Sequence, residues 1–157
     1  MIGPPFTCGL QQLASNITIL GPNAAVATED VVYWMGIDNF YVYSGQTQQL
    51  ECTVKDHVFT DFNLSQTDKV YGGINSEFSE VIWLYCSDTN SVANGGSGEN
   101  DRYVIYNYKD SIWYYGTFNR SAWLDRGTRT YPIAAESGYL YNHEFEFDDD
   151  GSPMNSY

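Results

Sequence analysis

The chain has 157 residues, enough for one domain with a substantial core. Its 43% hydrophobic content excludes wholesale disorder, because that much apolar surface can offset the entropy of ordering the chain. A net charge of −13 argues against specific nucleic-acid binding through a basic patch, since an acidic surface repels phosphate.

Aromatics are as frequent as charged residues, at 17% each, and 14 of them are tyrosines. With 14 glycines as punctuation and few Ala/Leu/Lys/Glu runs, this composition predicts an all-β protein. Cys8, Cys52 and Cys86 lie far apart, with neither an even count nor a CxxC pair. That pattern fits reduced thiols in a protein assembled inside a cell better than a disulfide framework. The start, MIGPPFTCGL, does not read as a signal peptide, and no apolar run nears the roughly 20 residues of a membrane span.

In chain order, residues 1–30 form an irregular Gly/Pro-studded segment. Within it, Ile17 to Leu20 reads as a short strand stopped by Gly21-Pro22-Asn23. Val31 to Met35, Phe40 to Tyr43 and Gln48 to Cys52 read as three strands joined by the turns Gly36–Asn39 and Ser44–Thr47, an antiparallel meander. The texture then changes. Val54, Val58, Phe59 and Phe62 share one helical face, so a short amphipathic helix is expected, with Thr53 as N-cap and Asp56 at N3.

Asn63 to Lys69 reads as loop, and Val70-Tyr71 as a strand broken at Gly72-Gly73. Val81 to Cys86 is continuously apolar, as a strand covered on both faces would be. Ser87 to Asp101 is a long, polar, Gly-rich loop expected to be mobile. Tyr103 to Tyr108 turns through Tyr108–Ser111 into Ile112 to Tyr115, an aromatic hairpin that needs neighbours to cover it. Thr117 to Arg129 holds Phe118, Trp123 and three of the seven basic residues. Further strands are expected at Tyr131–Ala135 and Gly138–Tyr141, followed by a strand entering the acidic turn Asp148–Gly151.

FYVYSG (40–45), YVIYNY (103–108) and GYLYNH (138–143) form a weak internal repeat. Recurring meanders of this kind suggest propeller blades, and Tyr106-Asn107 followed by Trp113 resembles the rhythm of kelch-type blades. The expected architecture is therefore antiparallel meanders of β-propeller type with one short helix, a fragment of a larger propeller. Residues 31–157 would hold about two to three blades, the last of them incomplete at the C-terminus.

No arrangement of reactive residues is diagnostic. Ser97 sits in GGSGE, without the GxSxG spacing of a nucleophile elbow. His57 beside Asp56, and His143 beside Glu144, are too isolated to mark acid–base or metal chemistry. Asp148–Asp150 could offer hard oxygens to Ca²⁺, but no ligand ladder follows. Asn16, Asn63 and Asn119 begin glycosylation sequons that mean little without a secretory signal. No catalytic, cofactor-binding or metal-binding residue is assigned, and the chain is read as a non-enzyme. Trp83 and Trp113 could be ligand platforms, but strand context favours packing between sheets.

The runs from Gly21 to Asn63, SEVIWLYCS, DRYVIYNYKDSIWYYGTFNRSAWLDRG and HEFEFDDDGSPMNSY resemble virion proteins of tailed bacteriophages. These are tail, tail-hub or packaged-DNA-stabilisation proteins, and Tyr-Trp-Met-Gly (33–36) and Trp-Tyr-Tyr-Gly (113–116) carry much of the likeness. The resemblance implies a β-propeller in a ring of copies at the head–tail junction, hub or nozzle, assembled in the host cytoplasm and resident in the virion. Such a ring retains packaged double-stranded DNA and lets it pass without specific binding. Its partners would be copies of itself and adjacent tail or portal proteins. Two alternatives remain at this stage, a carbohydrate-binding or glycan-processing propeller and a secreted β-sandwich.

Overall fold

The structure, a computed structural model, describes residues 12, 14–144, 148–149 and 152–153. It is mostly β, built from antiparallel meanders with one short helix. Sheet 1 is four-stranded: β1 (Ala25–Ala27), β2 (Val32–Met35), β3 (Phe40–Tyr43) and β4 (Thr47–Leu50), in chain order. Sheet 2 is also four-stranded: β5 (Tyr71–Asn75), β6 (Glu80–Tyr85), β7 (Arg102–Asn107) and β8 (Ile112–Thr117). Sheet 3 has three strands: β9 (Ala122–Leu124), β10 (Ile133–Glu136) and β11 (Tyr139–Asn142). A two-residue ribbon pairs β12 (Asp148–Asp149) with β13 (Ser152–Pro153). Among the described residues no sheet closes on itself.

The sheets stack in chain order, with sheet 2 in the middle. In β6, Val81, Trp83 and Tyr85 join the core shared with sheet 1, while Ile82 and Leu84 join the core shared with sheet 3. The strand's unbroken apolar run follows from this, because both of its faces are covered. The first strands adjoin: β1 lies beside β5, and β5 beside β9. Helix α1 (Lys55–Asp61) follows sheet 1 and touches two sheets: Phe59 meets Phe40 at 5.4 Å, and His57 meets Tyr115 at 3.9 Å. Val58 on α1 is fully buried, so the expected apolar face does the packing.

Several elements differ from expectation. Ile17 to Leu20 is irregular, its polar groups bonding across to sheet 1: the Leu20 N–H donates to Met35 O at 3.0 Å. β1 falls inside the stretch read as irregular and pairs with β2 through Val26↔Tyr33. The helix N-cap is Val54, which has no side chain able to cap, so Thr53 plays no capping part. Asn63 to Lys69 is a 3₁₀ turn over Leu64–Lys69, whose opening N–H at Ser65 donates to Asn63 Oδ1 at 3.0 Å. β5 runs unbroken through Gly72-Gly73. β9 was not expected as a strand. Cys8 and the expected strand into Asp148 fall wholly or partly outside the described residues.

The two glycines of β5 explain why it continues. A Cβ on Gly72 would lie 2.5 Å from Val26 of sheet 1, and one on Gly73 would lie 2.7 Å from Trp123 of sheet 3. At these two positions the neighbouring sheets come closer to β5 than a Cβ would allow.

Candidate functional site

The residues singled out for chemistry do not come together. Ser97 Oγ accepts from Asn90 Nδ2 at 3.1 Å and serves the loop's own turn. His57 is exposed on α1 against the Tyr115 ring, whereas His143 lies at sheet 3. Among the described residues no group of three or more His, Cys, Asp or Glu side chains is placed to hold a metal ion. Cys86 is fully buried, and burial pushes its thiol up; burial likewise raises Cys52 to about 11. Asn63, in one of the sequons, is buried and hydrogen-bonded inside the fold. The side chains at Asp148–Asp150 lie outside the described residues.

What the fold does organise is a set of joints between sheets. Trp83 is fully buried against Phe40 at 5.0 Å and Trp113 at 6.1 Å, and its indole N–H donates to Ala24 O at 2.9 Å. Trp113 donates to Glu51 O at 2.9 Å. Both therefore tie sheet 2 to the sheet 1 region. Trp123 on β9 donates to Ile74 O of β5 at 2.9 Å, tying sheet 3 to sheet 2. Trp34 on β2 donates to Thr18 O of the preceding segment at 3.1 Å. Each of the four tryptophans thus faces what precedes it in the chain and latches to a carbonyl there. A buried tryptophan needs a partner for its N–H, and here the partner doubles as an inter-sheet tie.

Polar joints reinforce the ends of the stack. Arg126 in the β9–β10 turn pairs with Glu77 in the β5–β6 turn at 2.9 Å, and the Ser76 N–H donates to Asp125 Oδ1 at 3.2 Å. Within sheet 3, Arg120 is buried, with its guanidinium paired to Glu136 and Nε donating to His143 Nε2 at 3.2 Å. It also lies over the Tyr141 ring at 4.3 Å. A buried arginine so fully engaged reads as a fastener of sheet 3, and no periodic pattern in the sequence marks it.

The Ser87–Asp101 loop, expected to be mobile, is cross-braced. Asp101 accepts from the Ser87 N–H at 2.7 Å and from its hydroxyl at 2.8 Å, and pairs with Arg102 at 2.8 Å. The Asn90 side chain donates to Glu99 O at 2.9 Å, and Lys69 Nζ donates to Gly98 O at 2.9 Å. A Cβ on Gly96 would sit 2.3 Å from the Asn90 carbonyl, so this glycine is required for the close approach. Next to this network, the buried Tyr85 hydroxyl has no hydrogen-bond partner, and burial together with Asp61 pushes its pKa up.

The two outermost faces of the stack differ. On sheet 3, Leu124 and Leu140 are 57% and 75% exposed, and share a face with Ala122, Ile133 and Ala135. On sheet 1, the outward face carries Val32, Trp34, Tyr41 and Tyr43, with Trp34 stacked on Tyr41 at 5.6 Å. The segment before Leu20 crosses part of this face and leaves an open apolar notch of about 350 Å³ between Ala14, Ile17, Val32, Trp34, Tyr43 and Thr47.

No protein-family model matches this chain, and no curated protein matches it. The site stands on its geometry alone: joints between sheets and two open faces.

Proposed function

We propose that the chain is a structural component of a bacteriophage tail, a propeller-type segment at the head–tail junction, hub or nozzle. In this reading copies form a ring that retains packaged DNA and later lets it pass, and the work is mechanical rather than catalytic. The observation that carries the reading is the joint pattern. Consecutive antiparallel meanders stack with their first strands β1, β5 and β9 side by side, and tryptophan latches tie each sheet to what precedes it. Blades around an axis pack in this way, with first strands innermost. The sequence resemblance to virion proteins supplies the biological setting.

Electrostatics agree with a DNA-passing wall. Beyond the net charge of −13, four of the seven basic residues (Lys69, Arg102, Arg120 and Arg126) are held in ion pairs, which leaves Lys55, Lys109 and Arg129 outside the ion pairs of the described residues to meet phosphate. The carbohydrate alternative loses its best platforms, since Trp83, Trp113 and Trp123 are buried in joints.

The test is mass spectrometry of purified particles followed by class-averaged imaging. The expected result is the chain in the virion and its density in a ring on the tail axis; absence from particles would overturn the proposal. Titration with duplex DNA at moderate salt is expected to show no sub-micromolar binding, and tight binding would refute the non-sticking wall.

A further inference from the structure

The open face of sheet 3 and the open face of sheet 1 are the two ends of one stacking series. We infer that they are complementary halves of a head-to-tail interface, in which sheet 3 of one copy packs on sheet 1 of the next. The inference deepens the self-association in the reading above and rests on it. Its occupant is a second copy of this chain.

Three features of the faces support that occupant. The first is shape and chemistry: sheet 3 projects the exposed leucines Leu124 and Leu140, and sheet 1 presents the apolar notch beside Trp34 and Tyr43. An aliphatic knob entering an aromatic notch removes apolar area from both. The second is direction. Trp83, facing sheet 1, shows how a sheet's tryptophan-bearing face sits on the sheet before it, and Trp34 gives sheet 1 such a face. Continuing the series past sheet 3 therefore calls for a sheet with an aromatic face, which sheet 1 of another copy supplies.

The third feature is charge. No basic residue precedes Lys55, and the β1–β2 turn carries Glu29 and Asp30. Neither makes an ion pair among the described residues, and both are exposed. The β9–β10 turn carries Arg126 and Arg129, and the exposed Arg129 guanidinium donates to the Asp125 carbonyl at 2.6 Å. The β5–β6 and β9–β10 turns lie at the same end of the stack, as the Arg126–Glu77 pair shows. Stacked by the same operation, the next copy's β1–β2 turn falls at that end, so acidic Glu29 and Asp30 meet the arginine turn. Such a contact is heterologous: it closes a ring if the rotation permits and grows a filament if it does not.

Sedimentation velocity of the full chain over a concentration series tests this with three variants, each checked for parental circular dichroism. Leu140→Asp on the sheet 3 face and Thr47→Arg at the notch should each weaken association at least about 30-fold, as loss of an interface centre does. Mixed one to one, these two should form a dimer and nothing larger, because each keeps one good face. Glu29→Lys/Asp30→Lys makes the chain less negative, so general charge repulsion alone predicts tighter association, whereas this interface predicts weaker. If the parent assembles and these variants assemble equally well, the interface is wrong although self-association survives. A parent that stays monomeric also overturns it, and shows that something other than a second copy covers these faces. The tail assignment is decided separately, by whether the chain is present in purified particles.

Discussion

Replacing Gly73 by alanine measures how closely sheets 2 and 3 must approach. The new methyl carbon would lie 2.7 Å from Trp123 Cδ1, 3.0 Å from its Cβ and 3.1 Å from its Cγ. Carbon–carbon contacts settle near 3.5–4.0 Å, so sheet 3 must retreat by about 0.8 Å or more. The Trp123 indole bond to Ile74 O, now 2.9 Å, would then stretch beyond hydrogen-bond range. Overpacking of this kind costs about 1–3 kcal/mol, and a lost hydrogen bond adds about 1 kcal/mol. Restriction of the unfolded chain gives back about 0.4–1 kcal/mol. The net loss is about 2 kcal/mol, a fall in Tm of roughly 4–8 °C for a chain of this size. Urea unfolding followed by tryptophan fluorescence reads it directly, with an unchanged m-value expected. In a Trp123→Ala background the Cδ1 and Cγ contacts are gone and only the 3.0 Å Cβ contact remains, so the extra cost should shrink to under about 1 kcal/mol. If Gly73→Ala matches the parent to within that margin in the native background, β5 is not pinched between its neighbours.

Other outcomes follow from the same joints. Tyr85→Phe removes a buried hydroxyl that has no partner, so stability should hold or rise by up to about 1 kcal/mol; a clear loss would reveal an unseen bond. Cys52, raised to about 11 by burial, should alkylate slowly at neutral pH, with a rate still climbing above pH 9; peptide mapping that shows levelling near pH 9 would refute the shift. Deleting Ala93 to Gly98 should destabilise the fold, because Lys69 and Asn90 lose their loop partners; an unchanged urea midpoint would mean the bracing is idle. Asp101→Ala strips three donors of their acceptor and should cost about 2–4 kcal/mol in the same assay.

The long, strongly patterned pieces of the fold were legible in the sequence. Val81 to Cys86 announced two covered faces, and the Val54–Val58–Phe59–Phe62 stripe announced the helix, because both signals come from burial itself. The three-residue strands β1 and β9 were not legible: Ala25 to Ala27 and Ala122 to Leu124 are too short to show a period of two. Gly72-Gly73 read as a break because glycine weakens an isolated strand, whereas here two adjacent sheets fill the space a side chain would take. The Ser87–Asp101 loop misled for a related reason. Its polarity looked like solvation, but its side chains bond to one another and to the loop's own carbonyls across the turn. Trp83 and Trp113 were read correctly as packing residues, while the pairing of Trp123 with Ile74 and the burial of Arg120 depend on tertiary neighbours that no local pattern carries.

The indole latches also impose an order in time. Every donor comes later in the chain than its acceptor: Trp34 after Thr18, Trp83 after Ala24, Trp113 after Glu51 and Trp123 after Ile74. During synthesis each accepting carbonyl leaves the ribosome first, and every meander pairs only with its sequence neighbours. A newly emerged sheet therefore finds its docking surface already outside the tunnel and waits for nothing downstream. At each stage of translation the apolar surface newly added to the stack is the back of the newest sheet.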